Sequence, residues 1–257
     1  MKIEAKKPTE ISNFDLLSLK ILSKMALEDR IDDESIDLLR EMQMEHYTLL
    51  KKYEILEERV NIDTKTSLLK YNEGLLVNIV KTISRYWHSS RESNILPISY
   101  LRLDLDDFHK VNNIYGHAIG DRVLVAVAKV MKRTSRPTDF IFRFGGEEFD
   151  IILPVTDRAG AESYANKLLQ GIRKIRIPVG NGRKIKITGS IGASILEFNY
   201  KTTVPMVAKE IIKKYHKVQK EADYACYQAK SLGKDRYCFY QPDINYKKIL
   251  KEYGSQH

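Results

Sequence analysis

The spacing of apolar positions changes near Asp63 and divides the chain in two. Residues 11–62 contain no Gly and no Pro and are rich in Leu, Glu, Lys and Met, all good helix formers. Phe14, Leu17, Ile21, Leu22 and Met25 share one side of a helix expected over about Asn13 to Glu28, and Asp29, Asp32 and Asp33 mark a turn and a new helix start. Leu39, Met42, His46, Leu49, Tyr53, Leu56 and Val60 then recur at alternating intervals of three and four, which draws one stripe along a helix. The stripe suits either the seam of a dimeric coiled coil or a face packed on the chain's own core. From Asp63 onward helices alternate with short β-rich runs. The pattern predicts helices at about 72 to 90, 119 to 134, 157 to 174 and 204 to 232, with strands at about 97 to 105, 139 to 144, 148 to 153, 184 to 196 and 236 to 240. An α/β (α+β) domain is therefore expected over 63–242, after an all-helical extension over 1–62 and before a tail over 243–257.

Composition narrows the class. Hydrophobic residues are 43% and charged residues 30% of the 257, which excludes collagen-like, low-complexity and wholly disordered readings. No apolar run approaches the roughly 18 residues of a membrane span, and the opening MKIEAKKPTE lacks the apolar segment of a signal peptide, so a cytoplasmic protein without a membrane span is expected. Cys226 and Cys238 are too few for a disulfide framework or a zinc site and are expected as small core residues. The net charge of +9 attracts polyanions without choosing among nucleotides, nucleic acid and acidic membrane. Lysine pairs such as Lys6-Lys7, Lys51-Lys52 and Lys213-Lys214 never extend to a run of five, and basic and aromatic residues do not interleave, so nucleic acid is not an expected partner.

Two segments carry candidate chemistry. In Tyr100 to Phe108, Leu101, Leu103 and Leu105 fall on one face of a strand, and Arg102, Asp104 and Asp106 on the other. Acids at a strand end can simply be solvated turn residues. Phe140 to Pro154 then reads as two β-rich runs joined by Gly145-Gly146, a dipeptide suited to the positive φ of a tight hairpin. Glu147 and Glu148 follow at once, between Phe144 and Phe149. A hairpin tip has no structural use for consecutive glutamates, whereas paired carboxylates suit Mg²⁺, which binds through one or two of them plus substrate phosphates. Phosphoryl transfer is the inference.

Gly145-Gly146-Glu147-Glu148-Phe149 resembles the signature of GGDEF-domain diguanylate cyclases in its GGEEF form, and the resemblance runs from about Asp63 to Tyr240. Asp104 to Phe108 resembles the metal-binding D-x-D-x-F segment, and Asn112, Tyr115-Gly116-His117 and Gly120-Asp121 resemble N-x-x-Y-G-H-x-x-G-D. Ser190-Ile191-Gly192 resembles the S-I-G strand, and Ala222-Asp223-Tyr224-Ala225 through Ala229-Lys230 and Gly233-Lys234 resembles the closing motif.

That resemblance implies a palm-like central sheet, as in nucleotidyl cyclases, surrounded by helices. It also implies a homodimer that joins two GTP into cyclic di-GMP with release of pyrophosphate. Asp104, Glu147 and the Leu105 carbonyl would hold Mg²⁺, with Mn²⁺ as a substitute, and Glu148 would complete the catalytic acids with Asp104 and Glu147. Asn112 and Asp121 would read guanine, Lys230 and Lys234 would meet phosphates, and Gly145, Gly146, Phe108 and His109 would border the substrate. Arg136 and Asp139 match the family's R-x-x-D site for inhibition by product, with Lys167 in the place of a second arginine, where it cannot offer a bidentate fork. A bare R-x-x-D is also a common turn. The alternative function is a catalytically silent cyclic di-GMP receptor built on that site, although this chain keeps every acid and glycine of the signature.

The chain departs from the family elsewhere. The opening D-x-L-T-G-L-x-N-R appears as Asp63-Thr64-Lys65-Thr66-Ser67-Leu68-Leu69-Lys70-Tyr71, with Gly, Asn and Arg replaced. His109 stands where a lysine is common, and Asn113 replaces an aspartate. Contact of His109 with phosphate would depend on its protonation near neutral pH.

Overall fold

A computed structural model describes residues 62–71, Gly74, Val77, 95–199 and 208–254, within the compact unit Asn61–His257. The helix expected over Asn13 to Glu28, the stripe from Leu39 to Val60, and all of the helix expected at 72–90 except Gly74 and Val77 lie outside the described residues. The elements in chain order are β1 Leu69–Lys70, β2 Ile95–Leu105, α1 Phe108–Tyr115, α2 His117–Thr134, β3 Phe140–Gly145, β4 Glu148–Pro154, α3 Arg158–Arg173, β5 Ile177–Gly180, β6 Arg183–Ile185, β7 Gly189–Asn199, α4 Ala208–Ser231, β8 Tyr237–Phe239 and α5 Tyr246–Gly254.

Six strands form one sheet in the order β1-β3-β4-β2-β7-β8, and β5-β6 is a separate ribbon. β2 lies inside the sheet, antiparallel to β4 and to β7, while β1 runs parallel to β3 and β8 parallel to β7. Its two-residue alternation sends Leu101, Leu103 and Leu105, at most 1% exposed, into a core shared with Val123, Val127, Leu168 and Ile172 of α2 and α3. Tyr100 enters a second core with Phe142, Ile152 and Tyr215, Val218 and Ala222 of α4. The sheet is thus the middle layer of three, which is why Arg102 and Asp106 on the α4 face are 6% and 5% exposed although charged.

α4 lies almost on the backbone of β7. A Cβ at Gly192 would run into the backbone at Ala222 and Cys226, and Ala222, Ala225, Cys226 and Ala229 are all buried against the strand. Cys226 is therefore a small core residue, as expected, while Cys238 is half-buried; both are free thiols. This close approach sets where Asp223 and Lys230 emerge.

Four differences from the pattern reading have local causes. α1 is a two-turn helix begun by Asp107 in the left-handed region at φ 55, and its burial rests on Phe108 and Val111. The strand expected over 184 to 196 is split between β6 and β7, where the Thr188 carbonyl accepts from the Asp106 amide at 3.0 Å and the Thr188 hydroxyl donates to the Asp106 carboxylate instead of extending a ladder. β1 is two residues long, paired with β3 and bridged at Leu69 to Ile62. The segment expected as a tail contains α5, whose Tyr246 is 6% exposed and stacks on Tyr224 and Tyr240 with ring centroids 5.3 and 5.2 Å away. Among the described residues no helix is long and apolar enough to cross a membrane.

Candidate active site

The end of β2 and the start of β4 form one edge. Asp104 lies directly opposite Glu148 across the ladder, and the Leu105 amide donates to the Glu147 carbonyl at 3.4 Å. The register slips between Arg143 and Gly145, so Phe144 is an extra residue in the strand, and such a bulge twists the tip of a hairpin. Gly146 alone of the two glycines takes a positive φ, +46. Gly145 has an ordinary φ, and a Cβ there would meet nothing within 4 Å among the described residues. The fold does not demand a glycine at 145, so what its missing side chain provides is open room beside Glu147.

A second network holds this tip. Arg143 donates to the Gly146 carbonyl from Nε at 3.2 Å and Nη2 at 2.8 Å, and from Nη1 to both carboxylate oxygens of Asp63 at 3.2 Å. Asp63 also accepts from the Thr66 amide at 2.8 Å and hydroxyl at 2.6 Å. Burial pushes the Asp63 carboxyl up, but the bonds from Thr66 and Arg143 outweigh it and hold the group below the usual carboxylate range. Ser67, where the opening motif has glycine, adopts φ 53 at a cost of about 1 kcal/mol, so the turn survives the replacement. No local pattern in the sequence marks Arg143 or this tie, because the two residues are 80 apart.

Charges around the edge are closely matched. Lys230 Nζ donates to Asp104 Oδ2 at 2.6 Å. Burial raises the Asp104 carboxyl, Lys230 pulls it back, and the charges of Glu147 and Asp106 add to the rise. Asp106 is used differently. Its oxygens accept from Thr188 Oγ1 and Ser190 Oγ at 2.7 Å each and from the Asp235 amide at 3.1 Å, so it staples β2 to β7 and to the loop after α4. That loop holds Gly233, Lys234 and Asp235 at φ 107, 62 and 51, and Arg173 clamps the Asp235 carboxylate at 2.8 and 2.9 Å. Lys234 is thereby aimed at Asp107, 2.9 Å from Nζ to Oδ2, and hydrogen bonds from Lys110 and Lys234 hold Asp107 at about 2.

Glu148 is half-buried, and burial lifts its carboxyl above the usual range; Arg102 attracts it, while Asp104, Asp223 and Asp150 repel it. Arg102 lies under this edge, bonded to Asp150 from Nε at 2.9 Å and Nη2 at 3.1 Å, with Asp223 at 3.5 Å and its Cζ 4.3 Å from the Phe144 ring centroid. Asp223 belongs to the closing motif, but the resemblance implies no role for it. The visible signal for the buried pair is an arginine and an aspartate inside two runs of apolar residues.

The donor set suits a hard divalent cation. Asp104 near the end of β2, Glu147 in the turn just before β4, and the carbonyl of Leu105 are oxygen ligands of the kind Mg²⁺ takes. Among the described residues no group of three or more His, Cys, Asp or Glu gathers that could hold a metal, which is consistent with an ion completed by substrate phosphates and water.

The remaining expected residues fall in two places. Asn112 packs its amide over Gly120, where a Cβ would collide with it, and so stands beside Asp121. Phe108 is 5% exposed, with its ring in the core beneath Gly120, whereas His109 is exposed. Asp121 is paired with Lys65, Nζ to Oδ1 at 2.6 Å, a partner that sequence reasoning missed although Lys65 visibly replaces the leucine of D-x-L-T. Apart from these, Arg136, Asp139 and Lys167 line one cleft of about 130 Å³ with Tyr164 and Thr156. There the Asp139 carboxylate accepts from the Arg136 amide at 2.7 Å, and burial raises it.

Fold and site together define a palm-like α/β domain with carboxylates and lysines gathered at a glycine hairpin. The family profile described as "Diguanylate cyclase, GGDEF domain" matches residues 61–236, and the chain belongs to that family. It is 35% identical over 176 residues to Diguanylate cyclase A of Treponema denticola, covering 68% of this chain and 43% of that protein. It is 30% identical over 191 residues to diguanylate cyclase DosC of Escherichia coli K12, covering 74% of this chain and 37% of that one, so it spans less than half the length of both relatives. Among solved structures, the coiled coil and GGDEF domain of DgcB from Caulobacter crescentus in complex with c-di-GMP aligns with TM-score 0.60 at 21% identity, over 79% of this chain and 97% of that one. The active GGEEF domain of a diguanylate cyclase from Vibrio cholerae aligns with TM-score 0.52 at 24% identity, over 68% and 99%. Both share the fold.

Proposed function

We propose that this chain is a diguanylate cyclase that joins two GTP into cyclic di-GMP as a homodimer. The observation that carries the proposal is the pairing of Asp104 with Glu148 across the ladder beside a glycine whose only evident use is clearance. Each 3′-oxygen forms a bond to the α-phosphorus of the other GTP, the α–β anhydride bond breaks, and pyrophosphate leaves; this happens twice per product. Each domain supplies one GTP, so two domains must face each other.

Asp104, Glu147 and the Leu105 carbonyl would hold Mg²⁺, with Mn²⁺ as a substitute. When bound, the ion would lower the pKa of the attacking hydroxyl and neutralise charge growing on phosphate oxygens. Glu148, lifted by burial, is suited to accept the hydroxyl's proton. Lys230 and Lys234 are already directed at this edge through Asp104 and Asp107 and would transfer to the phosphates of the departing group. Asn112 and Asp121 would read guanine, since a carboxylate accepts from the N1-H and 2-amino donors that distinguish guanine from adenine. The cleft at Arg136, Asp139 and Lys167 would bind cyclic di-GMP and restrain synthesis, and it also supports the alternative of a silent receptor.

The test is incubation of purified protein with GTP and Mg²⁺ and chromatographic resolution of the products. Formation of cyclic di-GMP and pyrophosphate is expected. Tight binding of cyclic di-GMP with no turnover would favour the receptor.

A further inference from the structure

We propose that Lys65 and Asp121 act as one unit that reads the Watson–Crick edge of guanine, with Lys65 donating to O6 while Asp121 accepts from N1-H and the 2-amino group. This rests on the reading of the chain as a GTP-binding cyclase, and it adds a specificity residue to that site.

The placement of Lys65 is built into the fold. Its turn is closed by Asp63 and Thr66, with the Asp63 amide donating to the Leu68 carbonyl and the Ser67 amide to the Asp63 carbonyl, each at 2.8 Å. Arg143 locks Asp63 from the hairpin side, so the bonds that hold the glycine tip also hold the loop presenting Lys65. The ammonium is thus brought to Asp121, a residue 56 positions away, next to the amide of Asn112 over Gly120.

At side-chain exposures of 51% and 41% the pair is too solvated to add much to stability. Its chemistry fits a ligand better. One of the three N–H groups of the ammonium is used on Asp121 Oδ1, and Oδ2 accepts no bond among the described residues. The open edge therefore presents donors beside acceptors. Guanine offers the complement, an acceptor at O6 beside donors at N1 and N2. Adenine offers a donor at N6 toward the ammonium and an acceptor at N1 toward the carboxylate, so both contacts fail together and the discrimination is repulsive as well as attractive. A lysine that merely competed with guanine for Asp121 would instead weaken binding.

The experiment uses the full chain with Mg²⁺ and α,β-methylene GTP, which cannot lose pyrophosphate, and reads affinity by calorimetry. Lys65→Met keeps the length of the side chain and removes the donors, while Lys65→Arg keeps a donor. Loss of one charge-assisted contact at a half-exposed site should weaken binding about tenfold in Lys65→Met and leave Lys65→Arg near the parent. The α,β-methylene triphosphate of 2-aminopurine riboside lacks O6 and, with it, the N1 proton, so it should bind the parent more than about tenfold more weakly than the GTP analogue and bind Lys65→Met and the parent alike. Unchanged or tighter binding of the GTP analogue by Lys65→Met would overturn the assignment and leave Lys65 a surface ion partner or a competitor. A parent chain that binds no guanine analogue would overturn the cyclase reading itself.

Discussion

Replacing Arg102 by methionine keeps most of the side-chain volume and deletes the charge that Asp150 depends on. The two side chains are 7% and 0% exposed and joined by bonds of 2.9 and 3.1 Å, so the variant leaves a carboxylate buried without its partner. Breaking a buried pair from one side costs about 3 to 5 kcal/mol, which at roughly 2 to 4 °C per kcal/mol for a domain of this size lowers Tm by about 6 to 20 °C. Adding Asp150→Ala removes the stranded charge and should recover most of that loss, because a buried pair is worth little relative to an apolar replacement of both members. Thermal melts followed by circular dichroism compare the parent, both single variants and the double variant. The site reports independently. Arg102 attracts Glu148 and lies 4.3 Å from the Phe144 ring beside the glycine turn, so without it Glu148 should hold its proton to higher pH. Ionised Glu148 accumulates as pH rises, and the acidic limb of kcat/KM should therefore move toward alkaline pH in the double variant, where loss of the attraction from Arg102 outweighs loss of the smaller repulsion from Asp150. A Tm within about 2 °C of the parent for Arg102→Met, or a double variant less stable than that single one, would refute the reasoning.

The remaining expectations concern catalysis, feedback and assembly. Glu147→Ala and Asp104→Ala should each lower synthesis by roughly 10² to 10⁴ with an unchanged circular dichroism spectrum, and a folded variant turning over GTP near the parental rate would contradict the metal assignment. Arg136→Ala should relieve inhibition by cyclic di-GMP while leaving turnover intact, and equal product affinity by calorimetry in both proteins would reduce the R-x-x-D to a turn. Replacing Leu49 and Leu56 together by aspartate should make specific activity depend steeply on enzyme concentration if the stripe from Leu39 to Val60 pairs two chains; light scattering showing a dimer fully active at low concentration would mean that stripe packs on its own domain.

Local order in the sequence determined the sheet's core face and the hairpin. Alternation alone put Leu101, Leu103 and Leu105 on one buried side, and Gly145-Gly146 marked the hairpin, whose turn falls on Gly146 and Glu147, because both signals act between neighbours in the chain. The acids at its tip were equally legible, as was their resemblance to a known signature. The short elements were not. α1 carries two asparagines in two turns and is held by the burial of Phe108 and Val111, and β1 is only two residues long, so neither produces a period long enough to read. Only the tertiary structure decided which charges meet. Asp104 and Asp106 share a strand face and look equivalent, yet one faces Lys230 at the open edge and the other is consumed by Thr188, Ser190 and the amide of Asp235. Lys65 reaches Asp121, and Arg143 reaches Asp63, across 56 and 80 residues. Such partners depend on the register and layering of elements far apart in the chain, information that no local spacing of residue types contains.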